Sequence, residues 1–158
     1  MNIEYLRIYL ESTQNVVKQM MDIIMSPMDE KIDEPEGFQS LGVASVITFS
    51  GKIKGRLIID MCPEFAFEAT QRVMGEPCND LGDKMLAALA SEMNNTIAGD
   101  ANTKLNDLFN LGLRLAPPIV ATGTNMVVSS NKMDAVTVRY KSEFGEFKIN
   151  VGFQVGGA

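Results

Sequence analysis

The sequence predicts an α+β fold: one antiparallel sheet packed with an N-terminal helix and a long central helix. Three observations predict it. Helical and extended segments come in blocks rather than in strict alternation. Two C-terminal segments alternate apolar with polar residues along their whole length, as half-buried antiparallel strands do. Between them and the N-terminal half, about Leu81 to Phe109 reads as one long helix with an apolar stripe. The chain has 158 residues and is taken as a single domain, 1–158. A chain of that size buries roughly two thirds of its unfolded surface and needs no disulfide or metal to fold.

The elements follow in order. Asn2 to Met25 is expected to be helical, because Ile3, Leu6, Leu10, Val17, Met20, Met21 and Ile24 recur mostly three or four apart. Pro27 closes it. Ser26 to Gln39 carries Pro35, Gly37 and five acids and reads as a loop. Ser40 to Ser50, rich in Val, Ile, Thr and Phe, is a strand. Ser50-Gly51-Lys52 is a turn signal, and Gly55 to Met61 completes a hairpin. Pro63 starts a second helix at its first turn, where a missing N–H costs nothing, and Gly75 caps its end.

The long helix is followed by Leu111 to Ala116 and by Pro117-Pro118, which forces extended chain. Ile119 to Ser130 is expected as one strand with a bend or bulge at Gly123. Ala135 to Lys141 and Glu146 to Val155 form the closing antiparallel pair, joined at Phe144-Gly145. Gly156 to Ala158 is a tail.

Charge and composition exclude several functions. The net charge of −6, from 14 basic and 20 acidic residues, argues against non-specific nucleic-acid binding and against docking on anionic lipid. No basic cluster is visible along the chain. No apolar run approaches the ~18–20 residues of a membrane span. Cys62 and Cys78 read as small buried apolar residues, and two thiols without a signal peptide point to the cytoplasm. There is no His, and a lone Cys pair makes a poor zinc site. The 11 methionines suggest an adaptable core rather than a metal box.

What chemistry the chain offers centres on Glu92-Met93-Asn94-Asn95. An acid and an amide three apart on a helix point the same way. On a wheel with Met93 at zero, Leu86, Leu89, Ala90, Ile97 and Leu108 fall within about 60° and form the core stripe. Glu92 falls at about −100° and Asn95 at about −160°, well off that stripe. Their face also carries Ala88, Gly99, Asn102 and Asn106, with Ser91 and Lys84 beside it, so it has little bulk and a partner can approach closely. Asp100 falls near the core stripe and needs either a partner or a bend at Gly99. A carboxamide cannot take a proton but can orient a water, while a carboxylate can grip a cation. The face therefore reads as half of an active site for phosphoryl hydrolysis. A second Glu-x-x-Asn, Glu76 to Asn79, contains Pro77 and lies in a loop, so it lacks the shared helix face.

The segment Glu92-Met-Asn-Asn95-Thr-Ile-Ala-Gly99-Asp-Ala101, followed by Leu105, Pro117-Pro118 and Gly123, resembles the CheX branch of the CheC/CheX/FliY chemotaxis phosphatases. The resemblance extends over nearly the whole chain: N-terminal helix, hairpin with Gly51 and Gly55, signature helix, double proline and closing antiparallel pair. A single credible signature helix fits CheX, where CheC and FliY members carry two.

The resemblance implies that the substrate is a phosphorylated CheY-like response regulator. Glu92 would pair with the regulator's lysine, and Asn95 would position water for in-line attack on the aspartyl phosphate. Ala88, Ser91, Gly99 and Asn102 would form the docking face. The resemblance implies no cofactor of the protein's own, since Mg2+ belongs to the regulator. It implies a homodimer through the sheet, with the strands after Pro117-Pro118 as the contact. The alternative is a non-catalytic adaptor of the same fold that docks a chemotaxis or flagellar-switch protein.

Overall fold

Among the described residues, three helices form where the caps and periodicity allow. In the computed structural model, which describes residues 1–32, 37–128 and 132–154, helix α1 spans Ile3–Met21. Asn2 caps it, its side-chain oxygen accepting the Glu4 amide at 2.9 Å. The helix stops at Met21 rather than at the expected Met25. Asp22 turns left-handed there (φ 54°), which no helix continues through. Ile24, assigned by its spacing to the apolar stripe, is consequently exposed. Helix α2 spans Pro63–Met74, with Pro at its start and Gly75 at its left-handed C-cap, as expected. Helix α3, Lys84–Phe109, is capped by the Asp83 carboxylate accepting the Met85 amide at 2.8 Å.

The strands are β1 (Ser26–Ile32), β2 (Phe38–Gln39), β3 (Val43–Ser50), β4 (Lys54–Met61), β5 (Arg114–Leu115), β6 (Ile119–Thr122), β7 (Val127–Val128), β8 (Asp134–Ser142) and β9 (Gly145–Phe153). The main sheet runs β1-β8-β9-β4-β3, and β3's far edge is shared by β5 and β6. All its pairings are antiparallel. A separate ribbon pairs β2 with β7.

Two expectations change. Ser26 to Gln39, read as a loop, contains β1 and β2. β1 is an edge strand, where pairing needs only backbone groups and a proline is tolerated; its register shifts between Pro27 and Glu30. Pro35, the strongest loop signal, lies outside the described residues. Ile119 to Ser130 is two strands, not one: at Gly123 (φ 159°) the chain leaves β3 and joins the ribbon as β7. Ser129 and Ser130, and the tail Gly156 to Ala158, also fall outside the described residues.

The three helices cover one face of the sheet. Tyr9 of α1 stacks on Phe49 of β3 at 5.8 Å, and Phe65 of α2 meets Phe147 of β9 at 5.2 Å. Cys78 is buried, Cys62 is half-buried, and both are free thiols. No helix among the described residues is long and apolar enough to cross a membrane.

The other face of the sheet carries the β2–β7 ribbon. Buried Phe38 sits under the Lys148 ammonium, 4.4 Å from the ring centroid, and Lys148 also donates to the Gln39 carbonyl. Beneath lies fully buried Asp60, which accepts from the Ser40 hydroxyl and the Leu41 amide, both at 2.7 Å. Burial pushes its carboxyl up to about 6, although Ser40, Leu41 and Lys148 pull the other way. The folded protein therefore holds this proton more tightly than the unfolded chain. Stability from Asp60 is fully present below about pH 4 and is lost as pH rises toward about 6. Urea unfolding of Asp60→Asn beside the parent across that window tests this. The variant should gain about 3 kcal/mol relative to the parent as pH rises. A pH-independent difference would show that Asp60 does not titrate there.

Candidate functional site

Which side of α3 faces solvent follows from how its rows pack. The ten buried residues fall on two i+4 rows: Leu86, Ala90, Asn94, Ala98, Asn102 and Leu89, Met93, Ile97, Ala101, Leu105. Each step of four advances about 400°, so a row drifts about 40° per step around the helix. Over 26 residues the buried stripe winds steadily away from its starting angle. A fixed angular window drawn at Met93 therefore holds near the middle and fails toward the end.

That drift corrects two assignments. Asn102, expected on the docking face, is only 3% exposed and lies in the core. Its side-chain oxygen accepts the Tyr9 hydroxyl at 2.6 Å, and burial keeps that phenol neutral by pushing its pKa up. Leu108, expected in the core stripe, is 68% exposed. Asn106 serves the fold as well: its amide donates to the Leu113 carbonyl (3.1 Å) and accepts the Leu113 amide (2.7 Å). Asp100 needs no helix bend. It is half-buried and paired with Lys104 one turn on at 3.0 Å.

The remaining face stays open. Ala88, Glu92 and Asn95 are exposed, and Ser91 and Gly99 are half-buried. The Thr96 hydroxyl donates to the Glu92 carbonyl at 2.8 Å and lies 3.5 Å from its carboxylate. The Asn95 carboxamide makes no hydrogen bond to the described residues, so both its donors and its acceptor are available. Gly99 borders β5. A Cβ there would stand 4.0 Å from the nearest Leu115 methyl, so the helix surface is low but not clasped. The acid, the amide and the small residues thus share one surface running beside the double-proline segment.

Asn94 was not singled out by its sequence, yet it locks this surface in place. Fully buried, its amide nitrogen donates to the Ser45 carbonyl (2.8 Å), the Ser45 hydroxyl (3.1 Å) and the Leu57 carbonyl (3.3 Å). These bonds fix the rotation of α3 over β3 and β4. Its place on a small-residue i+4 row was the available signal. Asn94→Ala should cost about 1–2 kcal/mol in urea unfolding. The buried side-chain oxygen already lacks a partner, which keeps the loss from being larger.

Among the described residues, no group of three or more His, Cys, Asp or Glu could hold a metal ion. The fold and this face define an α+β protein whose long helix leaves an acid, an amide and small residues open to solvent. The family model for chemotaxis phosphatase CheX matches residues 43–141, more than half of the chain. The chain belongs to the CheX family.

Solved structures agree in fold. A CheC-like superfamily protein from Shewanella sp. PV-4 superposes with TM-score 0.88 at 24% identity, covering 98% of this chain and 99% of that one. Chemotaxis protein CheX from Vibrio vulnificus gives 0.85 at 23%, with 96% and 99% covered. CheX in a CheX–CheY–BeF3–Mg2+ complex from Borrelia burgdorferi gives 0.77 at 22%, with 95% and 97% covered. Compared with curated protein sequences, the chain has no significant match.

Proposed function

We propose that this protein hydrolyses the aspartyl phosphate of a CheY-like response regulator. The observation that carries the proposal is the exposed, uncommitted Asn95 carboxamide, one helical turn from exposed Glu92 on a low-bulk face. The Borrelia relative solved together with CheY, BeF3 and Mg2+ supports the choice of partner. In this scheme α3 lies across the regulator's phosphorylation site. Glu92 pairs with a regulator lysine. Asn95 accepts from and donates to a water in line with the acyl phosphate. Water oxygen bonds to phosphorus as the phosphorus–aspartyl oxygen bond breaks, giving free phosphate and a regenerated carboxylate. The phosphoryl group and Mg2+ belong to the regulator, so the protein brings no cofactor, and the reaction runs in the cytoplasm where the regulator works.

We also propose a homodimer through the sheet. Among the described residues β6 pairs with β3 alone, and Ile119 on it is largely exposed, so its other edge can accept a second copy.

The test is a footprint. Hydrogen exchange of the protein with a phosphorylated regulator and Mg2+ should show new protection across residues 88–99. Protection confined to the opposite sheet face would refute the docking scheme and favour an adaptor role.

A further inference from the structure

A second site lies on the sheet face away from α3. Ser50 of β3 is paired with Lys54 of β4 on one side and with Arg114 of β5 on the other. Cross-strand partners project from the same face, so the two basic side chains flank the Ser50 hydroxyl, ~10 Å apart across two strand spacings. The inward neighbours Phe49 and Leu115 confirm the direction: Phe49 stacks on Tyr9, and Leu115 reaches toward Gly99 of α3. Around the row is an open trough of about 550 Å3, to which Thr48, Met133 and Gln154 also contribute.

Its charge is one-sided. None of its lining residues is an acid. Lys54 and Arg114 are exposed and form no ion pair with another described residue. Exposed Lys52 stands at the adjoining turn, also without an ion pair to a described residue. In a chain of net charge −6, this is a local reversal of sign. No cluster stood out along the sequence, because Arg114 reaches Ser50 only through sheet pairing. At physiological salt the distant acids are largely screened beyond ~8 Å, so an anion inside the trough meets the two cations.

We propose that this trough binds a small organic phosphate of nucleotide size. The volume lies in the range of small-molecule sites. Lys54 and Arg114 contact phosphate oxygens, and the Ser50 and Thr48 hydroxyls can donate between them. Met133 gives the organic part an apolar surface. A concave site with separated cations fits a compact oligoanion better than an extended acidic protein surface. The proposal does not depend on the phosphatase reading, because the trough and α3 lie on opposite faces of the sheet.

The test is calorimetric titration with AMP, ADP, ATP, inorganic phosphate and citrate, without Mg2+, at physiological ionic strength. Nucleotide binding with Kd below about 1 mM, tightening from AMP to ATP, is expected. Lys54→Ala with Arg114→Ala should weaken it about tenfold or more, while melting temperature and regulator dephosphorylation stay as in the parent. Amide shifts at Thr48, Ser50 and Lys54 should saturate with the same Kd. No heat and no shifts with any nucleotide at about 1 mM would overturn the proposal. So would binding that survives the double substitution, or a double variant whose main change is oligomeric state.

Discussion

Asn95→Ala should slow loss of phosphate from a saturated regulator complex by about a hundredfold or more, the scale of removing one positioned transition-state group. Regulator affinity should change little, because the carboxamide is proposed to act on a water rather than on the regulator's surface. Stability should be nearly unaffected, since Asn95 is exposed and makes no hydrogen bond within the described residues. Single-turnover decay of the phosphorylated regulator at several protein concentrations separates rate from affinity. A loss of affinity alone, with the saturated rate intact, would mean that Asn95 is a contact and not the water-positioning group.

Glu92→Lys should act on the other term. It sets an ammonium against the regulator lysine that Glu92 is proposed to pair with, and like-charge juxtaposition costs several kcal/mol. Affinity should fall about a hundredfold, and most of the activity should return when protein concentration is raised to compensate. Exposed Glu92 lies outside the core rows, so the fold should tolerate the change. Recovery of binding on converting the regulator lysine to Glu would confirm the pairing. Unaltered affinity in Glu92→Lys would place that lysine's partner elsewhere.

These two residues were legible in the sequence because both sit near the middle of α3, where a helical wheel and the true packing agree. Asn102 and Leu108 were not legible. They lie farther along, where the buried i+4 rows have wound past the angle fixed at Met93. Asn94 shows a different limit. Its polarity argued for the surface, but its amide is consumed by Ser45 and Leu57, partners set only by tertiary packing.

The sheet shows the same division. Regular alternation located both ends of β8 and the start of β9 to within one residue. β1 escaped detection because an edge strand is held by its backbone and tolerates prolines and charges that mark loops elsewhere. Gly123 was placed as a bend. That the chain changes sheets there depends on Phe38 and Gln39, the last residues of a segment read as loop.

The proposed activity is hydrolysis of a regulator's acyl phosphate on α3 by means of Asn95. It is tested most directly by timing phosphate loss from each of the host's phosphorylated response regulators, in Mg2+, with the parent protein, with Asn95→Ala and with neither. The parent should shorten the phosphoryl lifetime of at least one CheY-like regulator, and Asn95→Ala should not. Lifetimes unchanged across every regulator, or shortened equally by both proteins, would contradict it.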